Sequence, residues 1–174
     1  MNTIYDNLDA NKVSSIRLHV ENNSAVVDSI VNDIITPYCK GLDKYVRFIA
    51  DCLKDGENPP TIGELEDFCM NLSTHIYFAS GMCEQLGIRD DISKAVYKET
   101  YNTARDDAKG TVQDKTAQAE LQSQQEQLTN ICFNRAYKTM KSKVDAAQEL
   151  LSSCKKVLTN RMSERDLTRM DINT

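Results

Sequence analysis

Glu64-x-x-Asp67 puts two carboxylates one helical turn apart, a spacing with which a helix can offer paired oxygens to a magnesium ion. Such a centre needs a second acidic pair on a neighbouring helix, and the chain does not supply it cleanly. Asp90-Asp91 falls where a cap is wanted, and Glu99 is followed one turn on by Asn102 rather than an acid. Glu64 also has a simpler use. Thr61-Ile-Gly-Glu64 is a capping box, in which the threonine oxygen caps a helix and the glutamate reaches back three residues. The histidines are His19 and His75, and no serine or cysteine motif accompanies either, so a core or interface role is expected of them. The six cysteines, Cys39, Cys52, Cys69, Cys83, Cys132 and Cys154, are spaced by 13, 17, 14, 49 and 22 residues, without any CxxC. That spacing does not suit a zinc site, and the cysteines read as small buried hydrophobes. Neither GxxxxGK[ST] nor GxGxxG occurs, so a phosphate cradle is unsupported. No catalytic residue, metal site or cofactor is expected, and the protein reads as a non-enzyme.

One further group has chemistry to offer. Residues 130–174 hold nine Lys/Arg against five Asp/Glu, a net of +4, whereas residues 1–129 carry a net of −9. Arg135, Lys138 and Lys141 follow one another by three residues beside Tyr137, with Lys143, Lys155, Lys156 and Arg161 beyond them. Positive charge with some stacking surface is what single-stranded nucleic acid requires. The same run also suits the solvated face of a helix pair.

Every one of these groups has to be positioned by helices. Tryptophan is absent, and six glycines and three prolines are too few to turn an all-β chain. Mean hydropathy is −0.51, and no apolar run reaches the roughly 18 residues that span a bilayer. The opening MNTIYDNLDANK lacks the apolar stretch of a signal peptide, so a cytoplasmic protein without membrane contact is expected (host cytoplasm if viral, with a virion as the other setting).

Lys12–Glu21 fits a helix or a strand, with helix favoured, and Asn22-Asn23-Ser24 offers a break. Val27, Ile30, Val31, Ile34, Tyr38, Leu42, Tyr45, Val46, Ile49 and Leu53 define a helix that Pro37 should kink or divide. Lys54–Pro60 is a loop. The stripe Leu65, Phe68, Leu72, Ile76, Ala79, Cys83, Leu86 marks the best amphipathic helix, with Gly87 as its stop and Asp90 as the cap of another running to Gly110.

From Thr111 to Thr174 there is neither glycine nor proline, and most of this stretch reads as one helix of about 50 residues, about 75 Å long. A globule of 174 residues has a diameter of gyration of only about 31 Å. The helix must therefore fold back as a hairpin or find a partner. Its seam runs Leu121, Leu128, Ile131 and then Met140, Val144, Ala147, Leu151, Leu158, slipping phase between Ile131 and Ala136. The glutamine-rich first half reads as an exposed arm, and beyond Ser163 the helix is expected to fray. The expected fold is all-α: an acidic helical body over 1–110, and a long helical oligomerisation region with a basic tail over 111–174.

Gly110-Thr-Val-x-Asp-Lys-x-Ala-x-Ala-Glu120, Arg135-Ala-Tyr-Lys-x-x-Lys141-x-Lys-Val-Asp-Ala-Ala147 and Leu150-Leu-x-x-x-Lys-Lys-x-Leu158, followed by Arg161, resemble the long basic C-terminal helix of small bacteriophage proteins of the UvsY recombination-mediator type. The likeness covers about 60 residues, and the acidic body and net charge depart from it. It implies a homo-oligomer that holds single-stranded DNA on the basic residues and assists a recombinase without bond chemistry. The other two expectations are a structural or adaptor subunit of a virion or other multi-copy assembly, and an acidic inhibitor or regulator of a host protein.

Overall fold

The computed structural model describes residues 10–54 and 58–172 as four helices: α1 (Ala10–Lys54), α2 (Ile62–Asp107), α3 (Val112–Gln122) and α4 (Gln124–Ile172). Residues before 10, the middle of the Lys54–Pro60 loop and the side chain of His19 lie outside what is described. The all-α expectation holds, and no strand is present among the described residues.

α2 and α4 form a long antiparallel hairpin. Arg161 donates to the Pro60 carbonyl at one end, and Asn134 donates to Asp90 at 2.9 Å further along. α3 carries the track on along the last turns of α2, where Ala104 and Ala119 are both buried. α1 lies antiparallel to α2 and parallel to α4. Phe48 meets Phe68 edge-on with centroids 5.8 Å apart, and Lys143 of α4 grips Asp43 of α1. The result is an up-down-up three-helix bundle. Its core is made of Ile35, Leu42 and Ile49 from α1, the whole Leu65–Leu86 stripe from α2, and Ala136, Met140, Val144, Ala147 and Cys154 from α4. Each large apolar side chain hidden in this way contributes about 1.5–3 kcal/mol of transfer free energy.

The helices are longer than their local punctuation predicts. α1 passes through Asn22–Ser24 and through Pro37 without a break. Pro37 is exposed, so the carbonyl it leaves unpaired, that of exposed Asp33, meets water. Gly87 does not stop α2, and Asp90 does not cap a new helix. A Cβ at Gly87 would lie 3.2 Å from the Tyr137 ring, so the glycine serves close approach of α4. Asp90 faces α4: its carboxylate accepts from Asn134, and Asn130 reaches Ser93 at 3.1 Å.

The Thr61–Glu64 capping box forms, and α3 opens on a second one between Thr111 and Asp114. The long C-terminal helix is interrupted at Ser123 rather than in the 131–136 slip, which α4 crosses intact. Buried Ser123 donates both its N–H and its hydroxyl to the Ala119 carbonyl, at 3.0 and 2.8 Å, a local bond that competes with the helix ladder and bends it. The glutamine-rich segment is no free arm, since Ala119 and Ser123 are buried at its contact with α2. α4 continues past Ser163 to Ile172.

Candidate docking groove

The residues with chemical potential are drawn into structural work. Glu64 accepts from the Thr61 N–H at 2.7 Å, and the Thr61 backbone and hydroxyl bonds hold its carboxyl below the usual range. The described residues contain no group of three His, Cys, Asp or Glu placed to hold a metal ion. His75 is half-buried against the Tyr45 ring at 5.1 Å. Five cysteines are buried and Cys52 half-buried. Desolvation pushes the thiols of Cys39, Cys69, Cys83, Cys132 and Cys154 upward, the reverse of what a thiolate nucleophile needs. Cys39 additionally donates to Asp43 at 3.3 Å, and that carboxylate is itself held by Lys143 at 2.7 and 2.8 Å.

The basic residues do not gather into one patch. Lys143 turns inward to α1, and Arg161 closes onto the Pro60 carbonyl. Arg135 lines a shallow trough with Asp28, Val27 and Val31 of α1 and Ile131 of α4. At about 100° per residue, Lys138 and Lys156 share the outer face of α4 with Asp145 and Glu149, which break up the positive run. Lys155 is exposed toward the side of buried Cys69.

The residues expected at an oligomer interface divide in two. Met140, Val144 and Ala147 are buried within the single chain, with Leu151 and Leu158 packed against the same core. α2 and α1 already cover that half of the seam, because the chain supplies its own partner helices. Leu121, Leu128 and Ile131 remain exposed, at 66, 47 and 43 %.

That contrast locates the open part of the molecule. The bundle is tight from Ile35 to Ile49 of α1. Arg89 of α2 donates to the Tyr38 hydroxyl at 3.2 Å, and N-terminal to that bond α1 runs on along α4, where Val27 and Val31 lie beside Ile131 and Arg135. A groove of about 380 Å³ lies between α2 and α4, walled by Arg89, Ile92, Ser93 and Val96 of α2 and by Gln125, Glu126, Thr129 and Phe133 of α4. Arg89, Ile92/Ser93 and Val96, and Gln125/Glu126, Thr129 and Phe133, recur once per turn, so each wall is one helical stripe. Ser93, Asn130, Asn134 and Asp90 join the two walls by hydrogen bonds. In the groove, Oε2 of Glu126 is buried and has no hydrogen-bond partner. A buried acceptor left unpaired costs about 1–3 kcal/mol, which a donor arriving with a ligand would recover.

Sequence reasoning missed this groove because it ended a helix at Gly87. With the helix continuous, Ile88, Ile92 and Val96 step by four along a face that the Leu65–Leu86 stripe does not use. No protein-family model, curated protein or solved structure matches the chain.

Proposed function

We propose that the protein is a non-enzymatic structural or adaptor subunit that receives an amphipathic helix from a partner protein in the groove between α2 and α4. The supporting observation is that this groove is walled mainly by apolar surface of two helices and encloses a buried polar atom. That atom, Oε2 of Glu126, is an acceptor still in want of a donor. The occupant that fits is a helix with three or four apolar positions and a lysine, arginine or asparagine among them. Binding single-stranded DNA is supported less well: Lys143 and Arg161 are committed within the chain, and acids interrupt the rest.

The test places a photo-reactive phenylalanine at Thr129, and separately at Ser152 on the exposed side of α4, in cells that produce the protein. A discrete protein adduct is expected from Thr129, absent from Ser152, and lost when Glu126→Leu or Val96→Asp is added. Equal labelling at the two positions, or a nuclease-sensitive adduct, would overturn the proposal.

A further inference from the structure

A second uncovered apolar surface lies on the outer side of α2. Met70, Tyr77, Phe78, Ile88 and Ile92 are 70, 76, 66, 60 and 58 % exposed. They point away from the Leu65–Leu86 stripe and run for 22 residues, about 33 Å of helix. Their exposed surface amounts to several hundred Å², and patches of about 300–600 Å² on a soluble chain mark interaction sites. Glu66, Glu84 and Asp91 flank the stripe, which disfavours an anionic lipid surface.

The two ends of the pattern mirror each other. Its ends, Met70 and Ile92, are equidistant from Gly81, an exposed glycine with nothing within 4 Å of where a Cβ would stand. We propose that two copies pair through α2, antiparallel, about a two-fold axis at Gly81. In this register Met70 meets Ile92 of the second copy, Thr74 meets Ile88, and Tyr77 lies beside Gln85 over the open space at Gly81. An isologous contact demands such reciprocity. The flanking acids Glu66, Glu84 and Asp91 then fall opposite Val96, Phe78 and Asn71, so no like charges oppose. Sliding the axis one turn to residue 84 would set Glu84 against itself. The pairing meets the groove at its rim, since Ile92 and Val96 belong to both surfaces.

The experiment is cysteine cross-linking of the full chain. Gly81→Cys sits on the proposed axis and should convert to a covalent dimer with a short bismaleimide. Gly63→Cys is equally open but far from the axis, and should not. In parallel, Gly81→Leu should melt higher than wild type, because glycine is a poor helix former, while its dimer dissociates at concentrations at least tenfold higher. A wild-type chain that light scattering finds monomeric at every concentration overturns the pairing and leaves the groove proposal standing. A dimer that cross-links equally at 63 and 81, or is untouched by Gly81→Leu, overturns the register.

Discussion

Two glycines on one helix allow the α2–α4 contact to be weighed. Gly81 faces open space, whereas a Cβ on Gly87 would stand 3.2 Å from Cε2 and 3.6 Å from Cδ2 of Tyr137. Neither has a positive φ, since among the described residues only Gly110 does. Replacing either by alanine therefore gains the same helix propensity, about 1 kcal/mol. Gly87→Ala must also push aside a half-buried ring, and overpacking of this kind costs about 1–3 kcal/mol. Under conditions where the chain is monomeric, Gly81→Ala should stabilise by about 1 kcal/mol, and Gly87→Ala should fall below it by about 1–3 kcal/mol. For a chain of this size 1 kcal/mol corresponds to about 2–4 °C in melting temperature. Urea unfolding followed by circular dichroism measures both. Adding Tyr137→Leu should erase the difference, because the coupling belongs to that one contact. If Gly87→Ala stabilises as much as Gly81→Ala, the close approach is wrong. If its loss survives Tyr137→Leu, then Gly87 ends a helix as its local sequence suggests, and α2 is not continuous.

The Lys143–Asp43 pair is one-third exposed on both sides, so its loss should be modest, about 1–2 kcal/mol for Asp43→Ala by urea titration; a change within 0.3 kcal/mol would show the pair to be ornamental. Charge reversal of Arg135, Lys138 and Lys141 should leave the fold intact, whereas Lys143→Glu, placed against Asp43, should lower the melting temperature. Equal melting for the two would refute the inward placement. The buried thiols hold their protons more tightly folded than unfolded. Stability should therefore be level near pH 7–8 and fall as pH rises through about 8.5, where an unfolded cysteine ionises; a urea midpoint that is unchanged or higher at pH 10 contradicts this. Thr111→Ala removes the cap oxygen that accepts from the Asp114 N–H at 3.3 Å, and should cost about 1 kcal/mol, read as the same shift in urea.

What the chain declares locally and what it builds tertiarily part company at identifiable residues. The Leu65–Leu86 stripe and the Thr61 and Thr111 caps are legible because period and cap chemistry act within a few residues. Pro37, Gly87 and Asp90 mislead because their meaning lies across the bundle. One is on the wet side of α1, one makes room for Tyr137, and one anchors Asn134. The seam Met140–Val144–Ala147 was read correctly as a packing surface, but its partner helix is in the same chain. Glu126 has no sequence signature at all, since an unpaired carboxylate oxygen exists only once two helices have closed around it.

Burial and polarity are distributed unevenly along the hairpin, and this bears on what the groove can do. Toward the Pro60 end the seam is closed by α1 and is almost wholly apolar. From Asp90 onward α2 and α4 are kept in register by Asp90, Ser93, Asn130 and Asn134, which bond across the seam, with Ala104 and Ala119 buried further on. Directional bonds of this kind fix one alignment, where apolar contacts alone would tolerate sliding. The groove walls are thus joined and aligned within the single chain, which would spare the proposed helix the cost of ordering them. Asn134→Leu separates the two roles of this network. It leaves the apolar walls in place, and should weaken capture at Thr129 more than it lowers the melting temperature. Capture that survives while stability falls would mean that the polar network serves the fold alone.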